Sequence, residues 1–167
     1  IMQYYIFGEN GGPVTGSGMT PDGTFPEGAI PCDAYVYQNP QLFEIVGGSP
    51  VISNARQLQQ AKAAKLAEIT ADYAAATTAD IAYMSTTFQA DPASINTMAQ
   101  VLSGSTMGLP ADFYWVDAGN VQVPMTLAQL QGLGAMIIER NWEAFKVLQD
   151  KKTMLTAAVT IEDVNAI

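Results

Sequence analysis

The chain has no histidine and a single cysteine, Cys32, in 167 residues. Without imidazole, Ser-His-Asp and Cys-His catalysis, histidine-ligated metals and histidine pH switches are all excluded. A lone thiol cannot close an intrachain disulfide. Cys32 has no basic neighbour in sequence to depress its pKa, so it reads as a structural or incidental thiol. Positive charge is scarce too: 7 Lys+Arg stand against 16 Asp+Glu, a formal charge of -9. Nucleic-acid binding needs cations that displace counterions from phosphates, and an anionic lipid surface needs the same groups, so neither partner is expected. Charged residues make up only 14% of the chain, against about 25% in a typical soluble protein, while hydrophobic residues reach 49%. That is enough apolar material to build a core, and intrinsic disorder is not expected.

Long apolar runs are missing as well. No stretch approaches the roughly 20 apolar residues of a spanning helix. Residues 1–7 are apolar but broken by Gln3 and lack a basic flank, so they do not read as a secretory signal. The expectation is a soluble protein made in a cytoplasm. Gly16-Ser17-Gly18 runs into Met19-Thr20-Pro21 rather than a helix, and no lysine lies in this half of the chain. A phosphate cradle requires a helix N-terminus or nest and usually a lysine, so this segment is expected to be a loop. Acidic clusters with calcium-loop spacing are also lacking. No cofactor and no metal are expected.

What is present falls into two parts. Residues 1–52 hold 9 of the 14 glycines and 6 of the 9 prolines, with five acids and no base; the remainder carries every Lys and Arg. Gly and Pro punctuate strands and spoil helix interiors. Strands are therefore expected at residues 2–7, 34–38 and 42–46, with turns at Asn10-Gly11-Gly12, Pro21-Asp22-Gly23 and Gly47-Gly48. A few short strands bury little area, so this module should pack on something else.

Beyond residue 52 the pattern is helical. Ser53 or Asn54 can cap an Ala-rich helix to about residue 77. Its apolar stripe (Ala55, Leu58, Leu66, Ile69, Tyr73, Ala76) is narrow and broken by Lys62. It fits either an intradomain amphipathic helix or a seam with another chain. Residues 83–89 look extended. Asp91-Pro92 starts a helix that Gly104 ends. Residues 113–123 read as a hairpin around Asp117-Ala118-Gly119-Asn120, with Pro124 halting the strand. Thr126 caps a long helix to about residue 155, whose apolar face is Leu127, Leu130, Leu133, Ile137, Phe145 and Leu148. Gly132 and Gly134 inside it imply a close neighbour, for which the aromatic hairpin is the candidate. Thr160 followed by Glu162 and Asp163 favours a short last helix. The fold class expected is α+β: a small N-terminal β module, then a mainly helical domain with one or two β-hairpins. The expected division is 1–52, a connecting helix at 53–79, and 80–167.

Carboxylates are the only catalytic candidates. Asp112 and Asp117 flank Phe113-Tyr114-Trp115, and paired acids serve glycosidases. On a regular strand, residues five apart point to opposite faces, and Asp117 reads better as a turn residue. No catalytic residue is therefore assigned. Aromatic side chains offer two readings: core packing, or anchors for a protein partner. Under the second, the candidate contact residues are Tyr4, Tyr5, Phe7, Tyr35, Tyr37, Leu58, Leu66, Ile69 and Tyr73. A glycan-processing or glycan-binding module is the alternative.

Short segments in order carry a family resemblance. Tyr4-Tyr5-Ile6-Phe7 into Gly8-Glu9-Asn10-Gly11, then Val14-Thr15-Gly16 and Pro26-Glu27-Gly28-Ala29-Ile30, resemble the N-terminal module of tailed-phage tail-fibre assembly proteins. Segment 61–69, Ser85-Thr86-Thr87-Phe88-Gln89-Ala90-Asp91, Phe113-Tyr114-Trp115-Val116-Asp117 and Val123-Pro124-Met125-Thr126-Leu127 resemble the DUF4376 domain that follows such modules. The resemblance implies a non-enzymatic part in tail morphogenesis. Its partner would be a tail-fibre or baseplate chain, its place the virion tail or the host cytoplasm during assembly. A homo-oligomer through the helix at 53–77 is what the seam reading of its narrow stripe allows. The resemblance supplies no catalytic motif. The Gly/Pro stretch from Gly11 to Pro31 is longer than that pattern has, and reads as an ordered loop on a partner or a flexible arm.

Overall fold

A computed structural model describes residues 1–105 and 108–167. It is an α+β structure with strands concentrated at the N-terminal end and two further hairpins among the helices. The chain divides into two compact units, Ile1–Lys65 with Ala158–Ile167, and Leu66–Ala157. Composition placed boundaries at residues 52 and 79; the units instead divide inside the Ala-rich helix.

In the first unit, β1 (Gln3–Gly8) is the central strand of a three-stranded sheet, flanked by β2 (Val14–Thr20) and β3 (Ile30–Cys32), both antiparallel to it. Segment Gly16-Ser17-Gly18, expected as a loop, lies within β2. The cause is cross-strand. Tyr5 pairs with Gly18 and Phe7 with Gly16, and the Tyr5 ring occupies the place where a Cβ on Gly18 would sit. The missing side chains make room for rings that cover the bare backbone, a known use of glycine in sheets. The Gly11 to Pro31 stretch is thus strand in both β2 and the start of β3.

Residues 34–38, expected as a strand, form helix α1 (Ala34–Gln38). Tyr-Val-Tyr favours strands by side-chain type. Local capping wins: the Asp33 carboxylate accepts from the Val36 N–H at 2.9 Å, and the single turn turns Val36 inward. A 3-10 turn, Pro40–Leu42, leads into the hairpin of β4 (Phe43–Val46) and β5 (Ser49–Ile52). The β1–β2 turn docks on β4, with Gly11 N–H donating to Ile45 O at 2.7 Å and Ile45 N–H to Gly12 O at 2.9 Å. Ile6, Val36, Phe43 and Ile45 form the buried core of this module.

Helix α2 (Asn54–Thr78) follows. Ser53 precedes it, and its carbonyl accepts the first helical bond, from Gln57 N–H. Only Ile69 is buried along the whole helix. In the first unit the C-terminal helix α5 (Ile161–Asn165) begins with a reciprocal capping box between Thr160 and Asp163.

Among its described residues the second unit holds the later part of α2, two hairpins and two further helices. The first hairpin is β6 (Ile81–Tyr83) with β7 (Thr86–Phe88), where the sequence pattern implied only an extended segment. Its turn residues, Met84 and Ser85, both have positive φ, 52° and 62°. That is the twist that joins tightly paired strands, ordinarily marked by Asn or Gly, and neither is present. Helix α3 (Pro92–Gly104) starts at Asp91, which accepts from the backbone of Ala93 and Ser94. The second hairpin pairs β8 (Tyr114–Val116) with β9 (Gln122–Pro124). Pro124 is its last paired residue, opposite Tyr114, rather than a stop before pairing. Ala118 N–H donates to Thr87 O at 2.9 Å and ties the two hairpins together.

Helix α4 (Leu127–Ala157) is 31 residues long. It starts with Thr126 Oγ1 accepting from Gln129 N–H and Gln129 Oε1 accepting from Thr126 N–H. Leu130, Leu133 and Ile137 join Phe88, Ala90, Met98 and Met125 in the core. The neighbour beside Gly132 is Tyr83 of the first hairpin, and beside Gly134 are Leu102 and Met98 of α3. The aromatic hairpin at 114–124 is not that neighbour. A methyl on Gly132 would collide with the Tyr83 hydroxyl and lie 3.1 Å from Cζ, whereas one on Gly134 would meet Leu102 and Met98 at 3.5 Å, an ordinary contact.

The two glycines should therefore respond oppositely to alanine. Alanine gains about 1 kcal/mol of helix propensity at either position. At Gly132 the displaced Tyr83 costs about 1–3 kcal/mol, so G132A should lower the denaturation midpoint. G134A should leave it unchanged or raise it. Urea unfolding of both variants checks this, and equal effects would contradict the assigned neighbours.

Candidate functional site

Aromatic and apolar side chains at the surface are the features with functional potential. On the β module, Tyr4 stacks on Tyr37 with ring centroids 4.9 Å apart. Tyr5 makes edge contacts with Phe7 at 5.6 Å and Phe25 at 5.8 Å. These four candidate residues are half-buried, held by one another and by the sheet. Tyr35 is different: 55% of it is exposed. Its ring meets the edge of Phe43 at 6.0 Å, and Phe43 pairs across the hairpin with Ile52. Ile52 is 46% exposed, and Val46 and Val51 on the same hairpin are exposed to a similar degree. Tyr35 and Ile52 thus border one core residue and extend the module's apolar interior to its surface.

Val46, Val51 and Ile52 were not among the contact candidates. Their signal was the Gly47-Gly48 hairpin with Val or Ile in both arms. Val46 and Val51 lie on the hairpin face opposite buried Phe43 and Ile45, whereas Ile52 lies on the core face at its edge, beside Phe43.

On α2, Leu66 is 42% exposed, and Leu58 is half-buried. Ile69 is 2% exposed, which corrects its place among the contact candidates. It packs inward and presents nothing to a partner. Ile69 and Tyr73 line a small groove of about 200 Å³ with Ala144, Val147 and Leu148 of α4. A larger open groove in the first unit, about 600 Å³, runs between Asn54, Ala55 and Leu58 of α2 and residues 159–162.

A third groove, about 370 Å³, lies between α3 and β8. Tyr114 and Trp115 supply aromatic surface, and Gln89, Ser94 and Thr97 supply amide and hydroxyl groups. Ser94 Oγ is already engaged, donating to Asp91 Oδ2 at 2.6 Å. Asp117, weighed as a catalytic acid, is taken up by its turn: Oδ1 accepts from Gly119 N–H and Val121 N–H, both at 2.8 Å. Among the described residues, no three His, Cys, Asp or Glu side chains cluster as metal ligands. No helix among them is long and apolar enough to cross a membrane.

Electrostatics serve the architecture. Arg140 of α4 donates from its guanidinium to Thr77 O at 2.7 Å and to Ala79 O, at the C-terminal end of α2. The last carbonyls of a helix have no partner within it and carry the negative end of its dipole, so a cation there fills both needs. Burial lowers the pKa of Arg140. The Cys32 thiol is pushed up, first by burial and then by the adjacent Asp33, which favours the thiol over the nucleophilic thiolate. Asp91 is held below the ordinary carboxylate range chiefly by the Ser94 hydroxyl, and Asp163 chiefly by Val159 N–H.

A family model described as "Domain of unknown function (DUF4376)" matches residues 60–167. The match covers more than half of the chain, which therefore belongs to the DUF4376 family. No curated protein and no solved structure matches it.

Two outcomes follow from these charges. Replacing Arg140 with Ala should destabilise the fold by about 1 kcal/mol, since charge-assisted bonds at a partly exposed site are screened; lysine should recover part of the loss. For the carboxylate caps, the folded-state pKa lies below the unfolded value. Their contribution is fully present above the unfolded pKa and is lost as pH falls through the folded one. Thermal midpoints followed by circular dichroism should stay level from neutral to about pH 5 and drop below it. Asp91→Ala should make that acid-side drop shallower; an unchanged drop would remove Asp91 from the account.

Proposed function

We propose that this DUF4376 protein is a non-enzymatic component of a phage tail, acting in tail-fibre assembly or attachment through protein–protein contacts. The reading is supported by the ordered run of tail-module resemblances in residues 4–30, ahead of the family domain. The observation that carries the contact mechanism is the Tyr35–Ile52 patch. Half-exposed aromatic and branched side chains there continue a packed core to the surface, and aromatic anchors of this kind dominate binding energy at interfaces. A tail-fibre or baseplate chain is the partner, and the virion tail or the host cytoplasm during assembly is the place of action. The net charge of -9 favours solubility and discourages nucleic-acid contact.

A glycan-binding role has one observation in its favour, the groove where Tyr114 and Trp115 face Gln89 and Thr97. Sugars stack their C–H faces on aromatic rings while amides and hydroxyls bind their oxygens.

Affinity capture with the full chain, from infected cells and separately from purified particles, tests the leading reading. A tail chain should co-purify. Tyr35→Ser combined with Ile52→Ser should reduce its recovery at least tenfold while the far-ultraviolet spectrum is retained. Undiminished recovery would remove the patch from the mechanism, and recovery of no tail chain would remove the function. Titration with oligosaccharides, followed by tryptophan fluorescence, decides the second reading. Saturable quenching that Trp115→Phe abolishes supports it, and a flat response discards it.

A further inference from the structure

Helix α4 carries an apolar face that its own unit leaves uncovered. Ile138, Trp142 and Phe145 are spaced four and three residues apart, so they share one side of the helix. They are 71%, 57% and 40% exposed. The rings of Trp142 and Phe145 stack at 5.8 Å with an angle of 20°, which pre-forms a flat apolar platform. The helix's buried residues, Leu130, Leu133, Ile137, Leu148 and Leu155, follow a different stripe and already have their core.

Two charges border this platform. Glu139 lies just before Trp142 and Lys146 just after it, nearly equidistant along the helix. We propose that the platform binds the same platform of a second copy of this chain, with the two α4 helices antiparallel about a two-fold axis near Trp142. In that arrangement Trp142 meets its own counterpart, Ile138 meets Phe145, and Glu139 meets Lys146, twice over. A self-complementary patch is what a two-fold interface requires. A parallel pairing would carry this flank of the two copies to opposite edges of the seam and leave Glu139 and Lys146 without a partner across it, so the charges favour the antiparallel direction. Lys146 Nζ also lies 2.7 Å from Glu143 Oε1 in its own helix. Both side chains are exposed, and an ammonium has three donors, so that bond leaves room for a second carboxylate. This surface is distinct from α2, where a homo-oligomer was expected from the sequence. It is independent of the tail partner proposed for the β module.

Three large side chains per copy place the interface at the small end of specific contacts, with a dissociation constant on the order of micromolar. Sedimentation equilibrium of the full chain between about 1 and 200 µM should show monomer and dimer. Trp142→Ala and, separately, Ile138→Ser should each leave only monomer. Glu139→Lys and Lys146→Glu should each weaken the dimer by about tenfold at low salt. The double reversal should restore it, and an equimolar mixture of the two single variants should form heterodimers. Circular dichroism verifies that each variant is folded. A wild-type chain that stays monomeric at the highest concentration overturns the proposal. So does a dimer that ignores Trp142 and Ile138 but is broken by Leu66→Ser, or one whose single charge reversals have no effect.

Discussion

The second unit depends on how closely α4 can approach its neighbours. Gly132 admits the Tyr83 hydroxyl end against the helix backbone, where a methyl would collide, while Gly134 lies at ordinary contact distance from Leu102 and Met98. Leu130 and Leu133 on the same helix are completely buried, each worth about 1.5–3 kcal/mol of transfer energy. Placing Tyr83 places the first hairpin, and the Ala118–Thr87 bond carries that placement to the second. The groove between α3 and β8 is the last step of the same chain of contacts, since both of its walls rest on this core.

Much of this was legible in residue order. Asp91-Pro92, Thr126 with Gln129, and Thr160 with Asp163 each announce a helix start through a side chain that can reach backbone donors nearby, and each helix begins there. What was not legible depended on partners distant in sequence. Gly16-Ser17-Gly18 lacks every local mark of a strand, and only the rings of Tyr5 and Phe7 across the ladder explain it. Ala34–Gln38 shows the reverse case, where strand-favouring side chains yield to one carboxylate at Asp33. The Met84-Ser85 turn has no sequence mark at all, because its left-handed residues are ones that rarely adopt that conformation.

Which aromatic and apolar side chains reach the surface was only partly legible. Aromatic content does not separate Tyr35, whose ring is exposed, from Tyr4, Tyr5, Phe7 and Tyr37, which spend much of their surface on each other. Stripe reading on α2 placed Ile69 and Leu66 together, although one is buried and the other open. Helical spacing says which residues share a side; it does not say which side meets a neighbour. For α4 the same limit hid Trp142, because its buried stripe is strong enough to account for the helix without it.

Arg140 lies where α2 ends, and its hold differs in kind from the caps at the other helix ends. Guanidinium keeps its proton under any aqueous condition a protein encounters, whereas Asp91 and Asp163 surrender their hold once they are neutralised. Progressive acidification would therefore weaken the hold on the beginnings of α3 and α5 and leave the one on the tail of α2 unchanged.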